Sequence, residues 1–219
     1  VLGVRSRLLS GLPHHHAVWH NPRGFQICSR LRGRSTETFV DAVKFISDCL
    51  AEVHLRLMAT CDNLTNDELL WRPAPTANNI GFIVWHLARG EDARITNTGR
   101  LDEDIWATEL WYERFGQPIT APDPGDRMGL RALAIPSLEV LVGYAESVHQ
   151  RTLKYLSRLS DNDLDQAPDP DRPDFTVAGS LRHLVTHKNN HHGQIDYQRG
   201  LQDEAWDLPR GTGIVLPRP

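Results

Sequence analysis

The chain has 219 residues, of which 40% are hydrophobic and 24% are charged, which is the composition of a globular protein and the length of one ordinary domain. Its net charge of −4 is uneven, because residues 1–36 carry six arginines and no acid, which leaves 18 basic and 28 acidic side chains elsewhere. A body charged at −10 argues against nucleic acid as a partner. No apolar run approaches the roughly 18 residues that a membrane span requires.

The three cysteines favour a cytoplasmic protein, and the N-terminal segment is predicted to lie outside the folded domain. Cys28, Cys49 and Cys61 form neither a C-x-x-C pair nor a disulfide framework, which favours a reducing, cytoplasmic location. Residues 1–36 lack apolar periodicity and are predicted to form a poorly ordered, Arg-rich extension, with an organelle-targeting peptide as the alternative. Residues 37–219 are predicted to form one domain with an extended C-terminal tail.

The first half of that domain predicts two long helices joined by a short one. An apolar stripe at spacings of three and four indicates the first helix; its residues are Phe39, Val43, Ile46, Leu50, Val53 and Leu57. In "LTNDEL" at 64–69, Thr65 and Glu68 have the spacing of a capping box. After the breaker "WRPAP", Asn78 or Asn79 is expected to cap a second helix that ends near Gly99.

The second half repeats this pattern after an irregular stretch. Residues 100–129 predict only a short helical piece in "DEDIWATELWYERF" and a Pro/Gly loop. Pro136 and Ser137 open a third long helix, and a fourth is expected from about Thr176 to Arg199, with Gly200 as its C-cap. No segment indicates a strong strand. Two helix–loop–helix halves of this kind predict an all-α four-helix bundle with a long central crossover.

The segment "HKNNHHGQ" at 187–194 contains the candidate site. His187 and His191 are one helical turn apart and project from one face, a spacing from which two imidazoles can bind one metal ion. His86 lies on the second helix, at the equivalent place in the other half. Alone, His86 fits a hydrogen-bonded core histidine and the pair fits chance spacing; together they allow three neutral imidazoles to converge with a coordination position open.

Several enzyme classes lack their motifs. A zinc protease needs glutamate directly after the first histidine, but this chain has Lys188 there. No G-x-S-x-G, P-loop or G-x-G-x-x-G motif is present, which argues against a serine hydrolase and against nucleotide binding.

"NNIGFIVWHLARGEDARI" together with "VAGSLRHLVTHKNNHHGQIDYQRGL" resembles the DinB-like superfamily over roughly residues 37–216. That superfamily includes thiol-dependent S-transferases and mycothiol-dependent maleylpyruvate isomerases. The resemblance implies a bundle, often dimeric, that binds a divalent metal through His86, His187 and His191. His183 and His192 match positions that usually do not ligate the metal.

Other residues near these histidines are candidates for support or substrate binding. His183, Glu91 and Gln194 are expected to orient ligands or line the pocket, although a solvated helix face is the better expectation for at least one of Glu91 and Asp92. Gly90 lies one turn after His86, where its missing side chain leaves room for substrate.

Taken together with the three-histidine site, the resemblance implies a metal-dependent transferase that activates a low-molecular-weight thiol for attack on an electrophilic small molecule, which is the leading hypothesis. Zinc is favoured, and nickel, copper or ferrous iron would accept the same ligands. One alternative is a small-molecule hydrolase that uses metal-bound water, with Glu91 or Asp92 as base. The other is a non-catalytic metal- or ligand-binding bundle with a closed, four-ligand site.

Overall fold

A computed structural model describes residues 41–207, and within that range the regular elements are all helical. This confirms the all-α prediction. The helices are α1 (Ala42–Cys61), α2 (Asn66–Leu70), α3 (Ile80–Thr98), α4 (Ile105–Thr108), α5 (Trp111–Phe115), α6 (Arg127–Ala132), α7 (Leu138–Leu156) and α8 (Val177–Gln202), with a 3-10 turn at Asp161–Asp163.

The four long helices α1, α3, α7 and α8 form the bundle. Helix α3 packs against both α7 and α8, and α1 packs against α8 and α7. The connection from α3 to α7 is the long central crossover expected from the sequence, and it carries α4, α5 and α6. Because α3 and α8 are direct neighbours, the histidines of the second and fourth long helices can meet.

Local capping explains where the helices begin. The Asn79 side chain accepts a hydrogen bond from the Phe82 N–H and caps α3, which settles the choice between Asn78 and Asn79. Thr65 and Glu68 form the predicted capping box of α2. The Thr176 side chain accepts from the Gly179 N–H at the start of α8.

The predicted end of α8 was wrong. Gly200 does not cap the helix, which continues to Gln202 with Asp203 as its C-cap. The extra turn is held by α2, because Gln202 donates to the Glu68 carbonyl at 2.7 Å and Arg199 pairs with the Glu68 carboxylate at 3.2 Å. Contacts between distant segments outweigh the preference of glycine for a helix end.

The core consists of two clusters of buried apolar side chains. One joins α3, α7 and the crossover, where Trp106, Trp111 and Phe115 pack around Tyr144. The other joins α1 and α8 with the ends of α3 and α7. Aromatic side chains from the crossover therefore hold it against the bundle.

Several sequence-based expectations, including those on Cys28 and on Phe39 at the start of the first apolar stripe, fall outside the described range. Residues 1–40 and 208–219 are not described, so the N-terminal extension and the C-terminal tail stay predictions. Among the helices of residues 41–207, none combines the length and apolar character needed to cross a bilayer.

Candidate metal centre

Three histidines from two neighbouring helices meet at one point. His86 projects from α3, and His187 and His191 project from α8; one ring nitrogen of each lies within 4.8 Å of the others. The Nε2 atoms of His86 and His187 are 3.1 Å apart. Two nitrogens on a tetrahedral zinc ion with ordinary bond lengths are about 3.3 Å apart. The donor set therefore fits a divalent ion.

The surroundings of the triad favour neutral imidazoles. Burial lowers the pKa of His86, and the neighbouring His191 lowers it further. Burial also lowers the pKa of His187 to about 4, with contributions from His191, His86 and His183. A metal ion binds the unprotonated nitrogen, so both side chains are in the form that binds metal at neutral pH.

Gln194 determines which nitrogen of His191 is available. The Nδ1 of His191 lies 2.9 Å from the Gln194 Oε1. An amide oxygen only accepts hydrogen bonds, so Nδ1 carries the proton and Nε2 keeps its lone pair. His183 lies outside the triad and stacks on the His187 ring, with centroids 5.5 Å apart.

A cavity opens directly on the triad. This cavity, called here the triad cavity, has a volume of about 510 Å³, and His86, His191 and Gly90 are part of its lining. Phe82 and Trp85 give it an apolar wall. A mostly apolar cavity of this size with a few convergent polar groups is typical of a small-molecule site.

The chain is similar to known proteins in both sequence and fold. The model of the DinB superfamily matches residues 50–195. The chain belongs to the DinB superfamily. A crystal structure of a conserved protein from Enterococcus faecalis is similar in fold, with a TM-score of 0.66 and 22% identity over 74% of this chain and 98% of that one. No curated protein matched the sequence.

In this DinB-superfamily protein the expectation of a solvated face for Glu91 or Asp92 was wrong, since both are at most 2% exposed. Glu91 accepts from the Lys188 ammonium at 2.5 Å and from the Thr152 hydroxyl at 2.8 Å. Burial opposes ionisation of Glu91, but the Lys188 charge outweighs it and holds the carboxyl pKa below its usual range.

Asp92 joins α3 to the crossover. Its carboxylate accepts hydrogen bonds from Tyr144 and Arg151 and from the backbone N–H groups of Ile105 and Trp106. Burial nevertheless raises its pKa. Both carboxylates offered by the sequence as a catalytic base are thus engaged in structural contacts.

The sequence signal for a buried lysine was missed. Along α8 the buried residues recur at spacings of three and four, and Lys188 and His192 occupy this stripe; its other members are Val177, Leu181, Leu184, Ile195 and Arg199. Lys188 is 2% exposed, and His192 contacts the Thr60 hydroxyl at 2.9 Å. The His187 and His191 rings project from the adjacent face, toward α3.

A cluster of polar side chains in the bundle interior was also missed. The rings of His54 on α1 and His149 on α7 stack with centroids 3.9 Å apart. The Nε2 of His54 lies 2.8 Å from Glu146, and the Nδ1 of His149 lies 3.9 Å from Glu91. With Lys188, this cluster draws on all four long helices. Neither histidine has a sequence spacing that signals the pairing.

Proposed function

We propose that this protein is a metal-dependent transferase that activates a low-molecular-weight thiol, with His86, His187 and His191 as the ligands of a divalent ion. The observation that carries the proposal is the convergence of three ring nitrogens within 4.8 Å beside a cavity of about 510 Å³. Within residues 41–207 the group has three ligands, and a three-ligand site leaves a coordination position for substrate.

The protein's own residues prepare the site. His86 and His187 present unprotonated nitrogens because burial lowers their pKa values, and Gln194 orients His191. Phe82 and Trp85 give the triad cavity an apolar wall beside the reacting atoms. Zinc is the favoured ion, because imidazole suits it. A bound divalent ion lowers the pKa of a coordinating thiol.

The proposed reaction joins sulfur to an electrophilic carbon. The thiol loses its proton to solvent, and its electron pair forms the new S–C bond in the triad cavity. Either a leaving group departs with its bonding pair, or, for an activated double bond, the π electrons take up a proton on the neighbouring carbon. We also propose that the protein is a homodimer and that it acts in the cytoplasm. Cys49 and Cys61 form no disulfide within the described residues, which supports a reducing compartment.

Metal analysis tests the ligand set. His86→Ala and His191→Ala should sharply reduce bound metal in the purified protein, whereas His183→Ala, which removes a stacked neighbour only, should not. Equal metal content in all three variants would contradict the assignment.

Cobalt substitution tests the reaction class. Adding glutathione, cysteine, bacillithiol or mycothiol to the cobalt-loaded protein should produce a sulfur-to-cobalt charge-transfer band with at least one thiol. If no thiol changes the spectrum while esters or amides are cleaved, the protein is a hydrolase. If neither occurs and the ion has four protein ligands, it is a binding protein.

A further inference from the structure

A second cavity lies beside the triad, on the other side of Gly90. This arginine cavity is lined by Arg94, Arg172 and Phe175 and has a volume of about 480 Å³. Gly90 is part of the lining of both cavities. A Cβ at Gly90 would lie 3.5 Å from the His187 Cε1, so the missing side chain leaves the path along the triad open.

Helical spacing connects the two cavities. His86, Gly90 and Arg94 are four residues apart on α3 and share one face. His191, His187 and His183 have the same spacing on α8. His86 contacts both His191 and His187, and Gly90 faces His187, so Arg94, one turn further along α3, lies toward the His183 end of this row. Arg94 is two turns from His86, or about 12 Å along the helix.

The two arginines are held in place but lack a carboxylate partner within residues 41–207. The Arg94 guanidinium lies 5.7 Å from the Phe175 ring centroid, and that of Arg172 lies 4.8 Å from the same centroid. Neither makes a salt bridge to a described acid. Asp169 lines the same cavity, but its Oδ1 accepts from the Asp171 backbone N–H. The cavity therefore offers unused, planar donors that suit a carboxylate.

We infer that the thiol substrate carries a carboxylate, which binds Arg94 and Arg172 in the arginine cavity while its sulfur lies at the histidine triad. The inference rests on the proposed function and assigns the two substrates to separate cavities. Along α3, Arg94 lies about two helical turns, or about 12 Å, from His86 of the triad, and the long Arg94 side chain adds to the reach of the site. A thiol with sulfur and carboxylate several bonds apart, together with the Arg94 side chain, spans that distance, and the triad cavity remains for the electrophile.

A matched pair of thiols tests whether a carboxylate charge on the thiol strengthens its binding. Mercaptohexanoate and mercaptohexanol differ in their terminal group, and each is titrated into the cobalt-loaded protein while the charge-transfer band is followed. The acid should bind about tenfold more tightly or better, because a hydrogen bond to a charged group contributes more than one to a neutral group. Arg94→Gln and Arg172→Gln should each reduce that ratio to about twofold. Arg158→Gln, which removes an exposed charge at the end of α7, should leave the ratio unchanged.

Gly90 provides a second pair of variants. Gly90→Ala places its Cβ at an ordinary contact distance from His187, so this variant should keep the metal and weaken mercaptohexanoate less than Gly90→Val does. Gly90→Val adds two methyl groups to the path between the cavities. It should keep the metal and weaken mercaptohexanoate at least about tenfold. Unchanged binding of mercaptohexanoate in Gly90→Val would overturn the proposed path.

The outcomes separate this inference from the proposed function. Equal affinities for the acid and the alcohol, with a band for both, would overturn the carboxylate site and leave the transferase intact. If neither of these thiols gives a band, and glutathione, cysteine, bacillithiol and mycothiol give none either, the transferase proposal fails. S-methylated mercaptohexanoate, titrated into metal-free protein by calorimetry, then tests the carboxylate site alone. Binding that is lost in Arg94→Gln supports the site, and binding that is absent or unchanged in that variant overturns it.

Discussion

The buried ion pair between Glu91 and Lys188 should align the metal ligands, and loss of either partner alone should destabilise the bundle. Both side chains are 2% exposed, and the Lys188 Nζ lies 2.5 Å from the Glu91 Oε2. Lys188 directly follows His187 on α8, and Glu91 is five residues after His86 on α3. The pair therefore joins the two helices that carry the triad, at the level of the triad.

Removing one partner leaves an uncompensated charge in the core. Glu91→Leu or Lys188→Met should each lower the free energy of unfolding by about 3–5 kcal/mol, a large part of the about 5–15 kcal/mol that stabilises a typical domain. The double variant should recover most of this loss, because no charge remains buried. Thr152, which donates to Glu91, keeps its other bond to the Val148 carbonyl at 3.1 Å, so the double variant leaves no unpaired hydroxyl.

Denaturant unfolding of the two single variants and the double variant measures the coupling. Lys44→Met, which breaks an exposed pair with Asp48 at 2.9 Å, is the matched control and should cost less than about 1 kcal/mol. A competing chelator measures metal affinity in parallel, and the double variant should bind metal more weakly than the native protein despite its recovered stability. Single variants as mild as the Lys44→Met control, or a double variant with a loss equal to the sum of both single losses, would refute the reasoning.

Three further predictions concern pH and chain length. Burial lowers the pKa of His54 to about 4. The neutral His54 side chain therefore contributes its full stability above about pH 6.5 and loses it as the pH falls toward 4, a change of about 3 kcal/mol in all. His54→Phe should flatten this part of the stability–pH profile. Metal should dissociate on acidification, because protonated imidazole does not bind a metal ion. The lowered pKa values of His86 and His187 place that loss of metal below about pH 6. A metal-to-protein ratio that stays constant down to about pH 4 would contradict the assignment of imidazole ligands. Deletion of residues 1–34 should leave cooperative unfolding and metal content unchanged, as measured by circular dichroism and elemental analysis.

Periodicity and capping patterns were sufficient to predict the bundle. The apolar stripe of α1, the capping box of α2 and the caps of α3 and α8 depend on residues within a few positions of each other, which is the range over which local propensity acts. Helical spacing, which is equally local, predicted that His187 and His191 share one face of α8. It failed at Gly200, because the last turn of α8 is held by Glu68, which is far away in the chain.

The sequence by itself determined the helices, the bundle and the histidine spacing, since each follows from residues close together in the chain. Only the tertiary structure decided which polar groups are buried and with what partner. In the sequence Glu91 looks like any carboxylate on a polar helix face, and only the packing of α8 against α3 pairs it with Lys188. His54 and His149 likewise come into contact only because α1 packs against α7. The arginine cavity beside Gly90 likewise exists only because Phe175, which precedes α8, lies against α3. Charge burial depends on such long-range packing, and a local pattern does not carry that information.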